Sequence, residues 1–119
     1  MNNAPTPLYD LSTVGVPNKR TGLPNGIIVF LKFKGTADYR PRVIVSNIRY
    51  ENTYKDYFAL SITDNPKFDW GRPKNFTADE IEAVKSWIVL NKETLLTYWR
   101  ADGSMDYFDM ADNLKSVLP

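Results

Sequence analysis

The chain has 119 residues, 15 Lys+Arg against 14 Asp+Glu, a formal charge of +1, and neither cysteine nor histidine. That length suits one domain and is short for two well-cored ones; 43% hydrophobic and 13% aromatic residues exclude a disordered chain. The two missing residue types exclude, within this chain, Ser-His-Asp and Cys-His catalysis, disulfides, thiolate zinc sites, thiolate or imidazole haem ligation and iron–sulfur clusters.

Residues 1–25 hold Pro5, Pro7, Pro17 and Pro24 with Gly15 and Gly22, which predicts an irregular N-terminal arm with a short strand near Tyr9–Val14. Its tip, Asn18 to Thr21, is expected to be mobile. Asn25-Gly26 marks a turn. Three strand-like runs follow: Ile27 to Lys34, Arg42 to Tyr50, and Tyr54 to Thr63. The third alternates, which turns Phe58, Leu60 and Ile62 inward and Lys55, Tyr57, Ala59 and Ser61 outward. The short links between runs favour an antiparallel meander. Residues 64–76 read as a loop, since Pro66, Gly71 and Pro73 punctuate them.

A helix is expected from Thr77, where Thr77-Ala78-Asp79-Glu80 forms a capping box. Ile81, Val84, Ile88, Leu95 and Trp99 recur at helical spacing, with Trp87 and Leu96 widening the stripe. The helix would run unbroken to Arg100, roughly 36 Å at 1.5 Å per residue, with Gly103 as its stop. Met105, Phe108, Ala111, Leu114 and Leu118 suggest a short docking helix in the tail. The expected fold is α+β: an antiparallel three- or four-stranded sheet packed by one long C-terminal helix. The divisions are an arm at 1–25, a single domain at 26–103 and a docking tail at 104–119. The core would use Ile27, Val29, Leu31, Phe33, Ile44, Ile48, Phe58, Leu60 and Ile62 from the strands. Ile81, Val84, Trp87, Ile88, Leu95 and Trp99 would complete it from the helix.

No apolar run of about 18 residues is present, and the first residues carry neither a basic nor an apolar leader pattern. A cytoplasmic location is expected, without membrane contact. The net charge hides an asymmetry: residues 1–76 carry 11 basic and 6 acidic side chains, and residues 77–119 carry 4 and 8. A basic surface in one part and an acidic one in the other would follow, each either a partner surface or an ordinary solvated face.

Three constellations bear on chemistry. Lys32, Lys34, Arg40, Arg42 and Arg49, with Lys55 and the neighbouring Tyr57, lie on or beside the strands. Cations for phosphates and rings for base stacking suit single-stranded nucleic acid, and a histidine-free ribonuclease uses the same residue types. The same row also serves as the polar side of exposed strands or as edge protection. Asp102, Asp106, Asp109 and Asp112 would share a helical face; without a calcium-loop pattern they read as a solvated row, and no metal is expected. Asp69, Trp70 and Arg72 sit on the 64–76 loop; Trp and Arg dominate protein–protein hot spots, which makes the three a candidate partner-binding tip. The alternative is that Trp70 folds back onto the core. No phosphate-binding glycine loop, dinucleotide fingerprint or nucleophile elbow is present, and no cofactor is expected.

The helix also carries a family pattern. Val84-Lys85-Ser86-Trp87, Leu90-Asn91-Lys92-Glu93, Leu95-Leu96 and Trp99 resemble the C-terminal helix of the domain-of-unknown-function 4160 family, with Asn91 at the place of its usual histidine. Gly26-Ile27-Ile28-Val29 resembles the family's opening strand, and Arg40-Pro41-Arg42-Val43-Ile44-Val45 its Pro-Pro-His-Phe-His segment. Arg42 and Ile44 replace the two histidines of that segment and Arg40 one of its prolines. The resemblance spans about residues 26–100. It implies a bacterial or phage setting beside toxin–antitoxin genes and no defined reaction. The leading functional expectation is a non-enzymatic protein that acts through a protein partner, in a toxin–antitoxin-like module or as a phage inhibitor of a host system. A nucleic-acid binder or histidine-free ribonuclease toxin is the first alternative, and a structural subunit of a phage or multiprotein assembly the second. The oligomeric state is left open.

Overall fold

The computed structural model describes residues 13–32, 40–47, 58–71, 73 and 76–118. Among these residues five strands form one antiparallel sheet in the order of the chain: β1 (Thr13–Val16), β2 (Ile27–Lys32), β3 (Arg42–Asn47), β4 (Phe58–Ser61) and β5 (Phe68–Gly71). The expected meander is therefore present, with five strands instead of three or four. Among the described residues four helices accompany it: α1 (Asn18–Thr21), α2 (Ala78–Leu90), α3 (Lys92–Ala101) and α4 (Tyr107–Ala111).

One outer strand adjoins the stretch where a short strand was expected, of which residues 9–12 lie outside the described residues, and the other arises where sequence signals pointed to a loop. β1 pairs with β2, with Val14 opposite Leu31 and Val16 opposite Val29, and so begins near the end of the stretch where a strand was expected. β5 lies inside the predicted loop. Pro66 and Pro73 flank it instead of interrupting it, and as an outer strand it needs ladder bonds to β4 alone. Its pairing places Phe68 opposite Leu60 and Trp70 opposite Ala59, with a register shift between Ala59 and Leu60.

The register sorts the sheet into two faces. Val16, Ile27, Val29, Leu31, Val43, Val45, Phe58 and Leu60 share the face that joins Val84, Trp87, Ile88, Leu95, Tyr98 and Met110 in one buried cluster. Ile44 and Ala59, opposite one another on the other face, are also fully buried. Ala59 thus takes the face opposite Phe58 and Leu60 that alternation assigned to it, but that face is covered at this point and not open to water. Of the expected core, Ile81 is only partly buried, and Phe33 and Ile48 lie outside the described residues. Gly15 faces Phe30 across the ladder, and a Cβ there would stand 3.2 Å from the Phe30 ring; the missing side chain lets that ring lie over the strand.

The single long helix is in fact two. α2 begins at the capping box, where Thr77 Oγ1 accepts from the Glu80 N–H (3.1 Å) and Glu80 Oε1 accepts from the Thr77 N–H (2.8 Å). The other Glu80 oxygen accepts from Asn25 Nδ2 at 2.7 Å, tying the helix start to the turn before β2. The break falls at Asn91, whose φ of −110° and ψ of 14° leave the helical region. The apolar stripe runs across this break, so periodicity alone does not reveal it. α3 ends at Asp102 and Gly103, both with positive φ (51° and 89°).

The expected mobile tip is instead the short helix α1. Thr21 is fully buried, and Asn18 Nδ2 donates to the carbonyls of Leu23 and Ile27. Arg20 Nη1 donates to the Ala111 carbonyl (3.0 Å) at the end of α4, where helix carbonyls lack internal partners. The tail docks through Met110 and Ala111, while Phe108 and Leu118, expected to face inward, are 67% and 63% exposed. No helix of the described residues is long and apolar enough to cross a membrane.

Candidate functional site

Two groups of predicted site residues meet at one end of the sheet. Arg40 and Arg42, singled out for phosphate contact, and Asp69, singled out for partner contact, form one ion-pair triad. Asp69 Oδ1 lies 2.8 Å from Arg40 Nη2, and its Oδ2 lies 2.6 Å from Arg42 Nη1. The Asp69 and Arg42 side chains retain only 9% and 11% of their exposure, and Arg40 keeps 82%. The triad holds the outer strand β5 to the start of β3 across β4. One carboxylate thereby offsets half the charge of the arginine pair, and Asp69 has both oxygens engaged inside the chain.

The triad borders a groove of about 620 Å³ at the β4–β5 hairpin, lined by Arg40, Pro41, Ser61, Thr63, Lys67, Phe68 and neighbouring residues. The hairpin is held from within. Lys67 N–H donates to Ser61 Oγ (3.0 Å), Ser61 N–H to the Lys67 carbonyl (2.9 Å), and Ile62 N–H to the Pro41 carbonyl (3.0 Å). On its far side Asp64 Oδ1 meets Lys92 Nζ at 2.8 Å, and this carboxylate raises the Lys92 pKa above its ordinary value.

A second groove, of about 480 Å³, separates the hairpin from α2 and is lined by Asn65, Pro66, Lys85, Ser86, Val89 and Leu90 among others. Three large apolar side chains around the hairpin stay in water: Phe68 is 48% exposed, Val89 44% and Leu90 46%. Lys85 links the two sides, with its ammonium 5.5 Å from the centre of the Phe68 ring. The Phe68 ring also meets the buried Phe58 ring edge-on, 5.6 Å between centres. Phe68 is therefore anchored on one edge and open on the other.

The remaining predicted residues divide as follows. Trp70 lies in β5 by its backbone, and its side chain is outside what the structure describes, as are Arg72, Lys34, Arg49 and Tyr57. Lys32 ends β2, half-buried. The four tail aspartates do not share a helical face. Asp102 ends α3, Asp106 caps α4 by accepting from the Asp109 N–H (3.2 Å), and Asp112 stands 3.5 Å from Arg20. Among the described residues no cluster of acidic side chains suits a metal ion. Trp87 and Trp99 are core residues, 0% and 4% exposed, and the buried Trp87 indole N–H has no hydrogen-bond partner among the described residues.

Sequence reasoning missed the exposed trio. A signal existed: Val89 and Leu90 fall off the Ile81–Val84–Ile88 stripe, on the side of α2 where polar residues belong. It also missed Asn91, which is 3% exposed. Asn91 Nδ2 donates to the Trp87 carbonyl (2.9 Å) and the Lys115 carbonyl (2.9 Å), and its Oδ1 accepts from the Lys115 N–H (2.7 Å). Asn91 is thus an amide that clamps the chain's own tail.

Compared with known proteins, the chain matches no family model, no curated protein and no solved structure.

Proposed function

We propose that this chain is a small non-enzymatic binding protein that acts through a protein partner, and that the partner docks at the β4–β5 hairpin and the adjoining end of α2. The observation that carries the reading is the exposed trio Phe68, Val89 and Leu90, set around two grooves. Exposed apolar side chains grouped around a groove and rimmed by charge mark interaction sites, whereas single ones carry no meaning. Trp70, in β5 by its backbone, and Arg72, two residues on in sequence, remain candidates for the same partner contact. Asp69 serves it indirectly, by holding β5 in place through Arg40 and Arg42. A bacterial or phage cytoplasm, in a toxin–antitoxin-like module or against a host system, is the setting proposed from the family resemblance.

The test is affinity capture from a lysate of the source organism, with bound proteins identified by mass spectrometry. The tagged chain is expected to retain a specific protein that a Phe68→Ser, Val89→Ser, Leu90→Ser variant of unchanged fold does not retain. A Trp70→Ala, Arg72→Ala variant is expected to weaken the same capture. Equal capture by all three proteins would refute the assignment of this surface.

A further inference from the structure

The C-terminal segment is held as a peptide ligand is held. Its bonds run to groups far away in sequence. Tyr107 Oη donates to the Gly15 carbonyl (3.3 Å), Arg20 Nη1 to the Ala111 carbonyl (3.0 Å), and Val117 N–H to the Thr21 carbonyl (2.9 Å). Asn91 grips both main-chain groups of Lys115. Met110 and Ala111, 1% and 0% exposed, are its apolar anchors. Toward its own preceding helix, Met110 joins Leu95 and Tyr98 of α3 in the buried cluster, beside a cleft of about 390 Å³ lined by Glu93, Thr94, Thr97, Met105, Met110 and Asn113. None of the long-range bonds depends on the covalent link through residues 102–104.

That link is short and turns on two consecutive left-handed residues, Asp102 (φ 51°) and Gly103 (φ 89°). The first is not glycine, so the turn carries some backbone strain. The turn is held by Ser104, whose N–H and hydroxyl both donate to the Ala101 carbonyl (3.0 and 2.6 Å); a short left-handed hinge joined to a segment whose long-range hydrogen bonds reach Gly15, Arg20, Thr21 and Asn91 is a condition that favours segment exchange.

We propose that residues 104–118 exchange between two copies of this chain, each copy's segment docking against Thr21 and Asn91 of the other. Straightening at Asp102–Gly103 relieves the left-handed turn and carries the segment away from its own α3. The same bonds to Gly15, Arg20, Thr21 and Asn91 then form across the pair. The exchange does not use the hairpin surface, so it stands or falls apart from the partner reading.

The experiment is light scattering of the full chain over about a hundredfold range of concentration, with a hinge series beside the parent. The dimer is expected to grow with concentration and to dissociate slowly, because release requires local unfolding. Asp102→Gly, which eases the left-handed turn, should lower the dimer fraction. Gly103→Ala, which strains it further, should raise the dimerisation constant about fivefold or more. Deleting Gly103 and Ser104 should leave mostly dimer; if that variant does not fold, Gly103→Ala decides. The exchange itself is read from a mixed sample of labelled and unlabelled chains. Leu118 Cγ lies 3.0 Å from where a Gly22 Cβ would be, so a Leu118–Gly22 nuclear Overhauser effect must cross between chains in the dimer. A parent and Gly103→Ala variant that both stay monomeric, or a dimer whose Leu118–Gly22 contact stays within one chain, overturns the proposal.

Discussion

The tail-docking side of the molecule and the hairpin side solve opposite problems. At the tail, the main chain and its anchors are closed, although Phe108 and Leu118 stay exposed at single, separate positions. Asn91 and Thr21 are buried, and the main chain of Lys115 and Val117 is held by direct hydrogen bonds. At the hairpin, the backbone is equally well tied, by the Asp69 triad and by Lys92–Asp64, yet Phe68, Val89 and Leu90 remain in water. Rigid backbone beneath open apolar side chains is what a preformed docking surface needs, since little ordering entropy is then lost on binding. The same sheet thus carries one region that is already occupied by the chain itself and one that is not.

The difference can be broken at its strongest point first. Asn91→Ala removes three hydrogen bonds from a buried amide and should destabilise the fold by about 2–3 kcal/mol, measured by urea unfolding. Asn91→His should do no better, because an imidazole cannot donate to and accept from the main chain of one residue as the amide does. A change below about 0.5 kcal/mol would mean that the tail is not clamped there.

The hairpin side is sharpened by its two arginines. Arg42→Ala leaves the nearly buried Asp69 with the exposed Arg40 alone and should cost about 2 kcal/mol, whereas Arg40→Ala, at an 82% exposed side chain, should cost less than about 1 kcal/mol. Equal losses would show that β5 is not held by the inner pair. If Arg40 and Arg42 instead read phosphates, filter binding to single-stranded nucleic acid would fall steeply with salt and weaken in both variants.

A smaller effect separates the regions by pH. Burial raises the phenol pKa of both Tyr98 and Tyr107 above 10.0, and Asp64 raises that of Lys92 above 10.5. A raised folded-state pKa contributes stability that is complete below the unfolded value and lost as pH rises through the folded one. Unfolding midpoints should therefore fall above about pH 10, and Tyr98→Phe should flatten that fall. An unchanged alkaline slope in Tyr98→Phe would remove Tyr98 as its source.

What the sequence disclosed follows from range. The β2–β3–β4 meander and the Thr77 capping box rest on alternation and on a four-residue motif, and both were legible. The burial of Trp87 and Trp99 followed from helical spacing. β5 was not legible, because its proline and glycine neighbours are strong local signals for a loop and its pairing to β4 is tertiary. The break at Asn91 was hidden because the apolar stripe continues across it, while the amide's partner lies 24 residues away. The order of α1 depends on Arg20 reaching Ala111, 91 residues distant. At the site, Asp69, Arg40 and Arg42 were singled out for two different partners, and only the fold shows that they bind one another.

The hairpin surface is expected to bind the protein partner through Val89 and Leu90, and this docking is independent of the tail. It is tested most directly by titrating the captured partner against the parent chain and a Val89→Ser, Leu90→Ser variant, with thermal unfolding of each measured in parallel. The Kd of the variant is expected to rise about a hundredfold, in line with the loss of two apolar anchors, at a melting temperature within about 2 °C of the parent's. An unchanged Kd in the folded variant would contradict it.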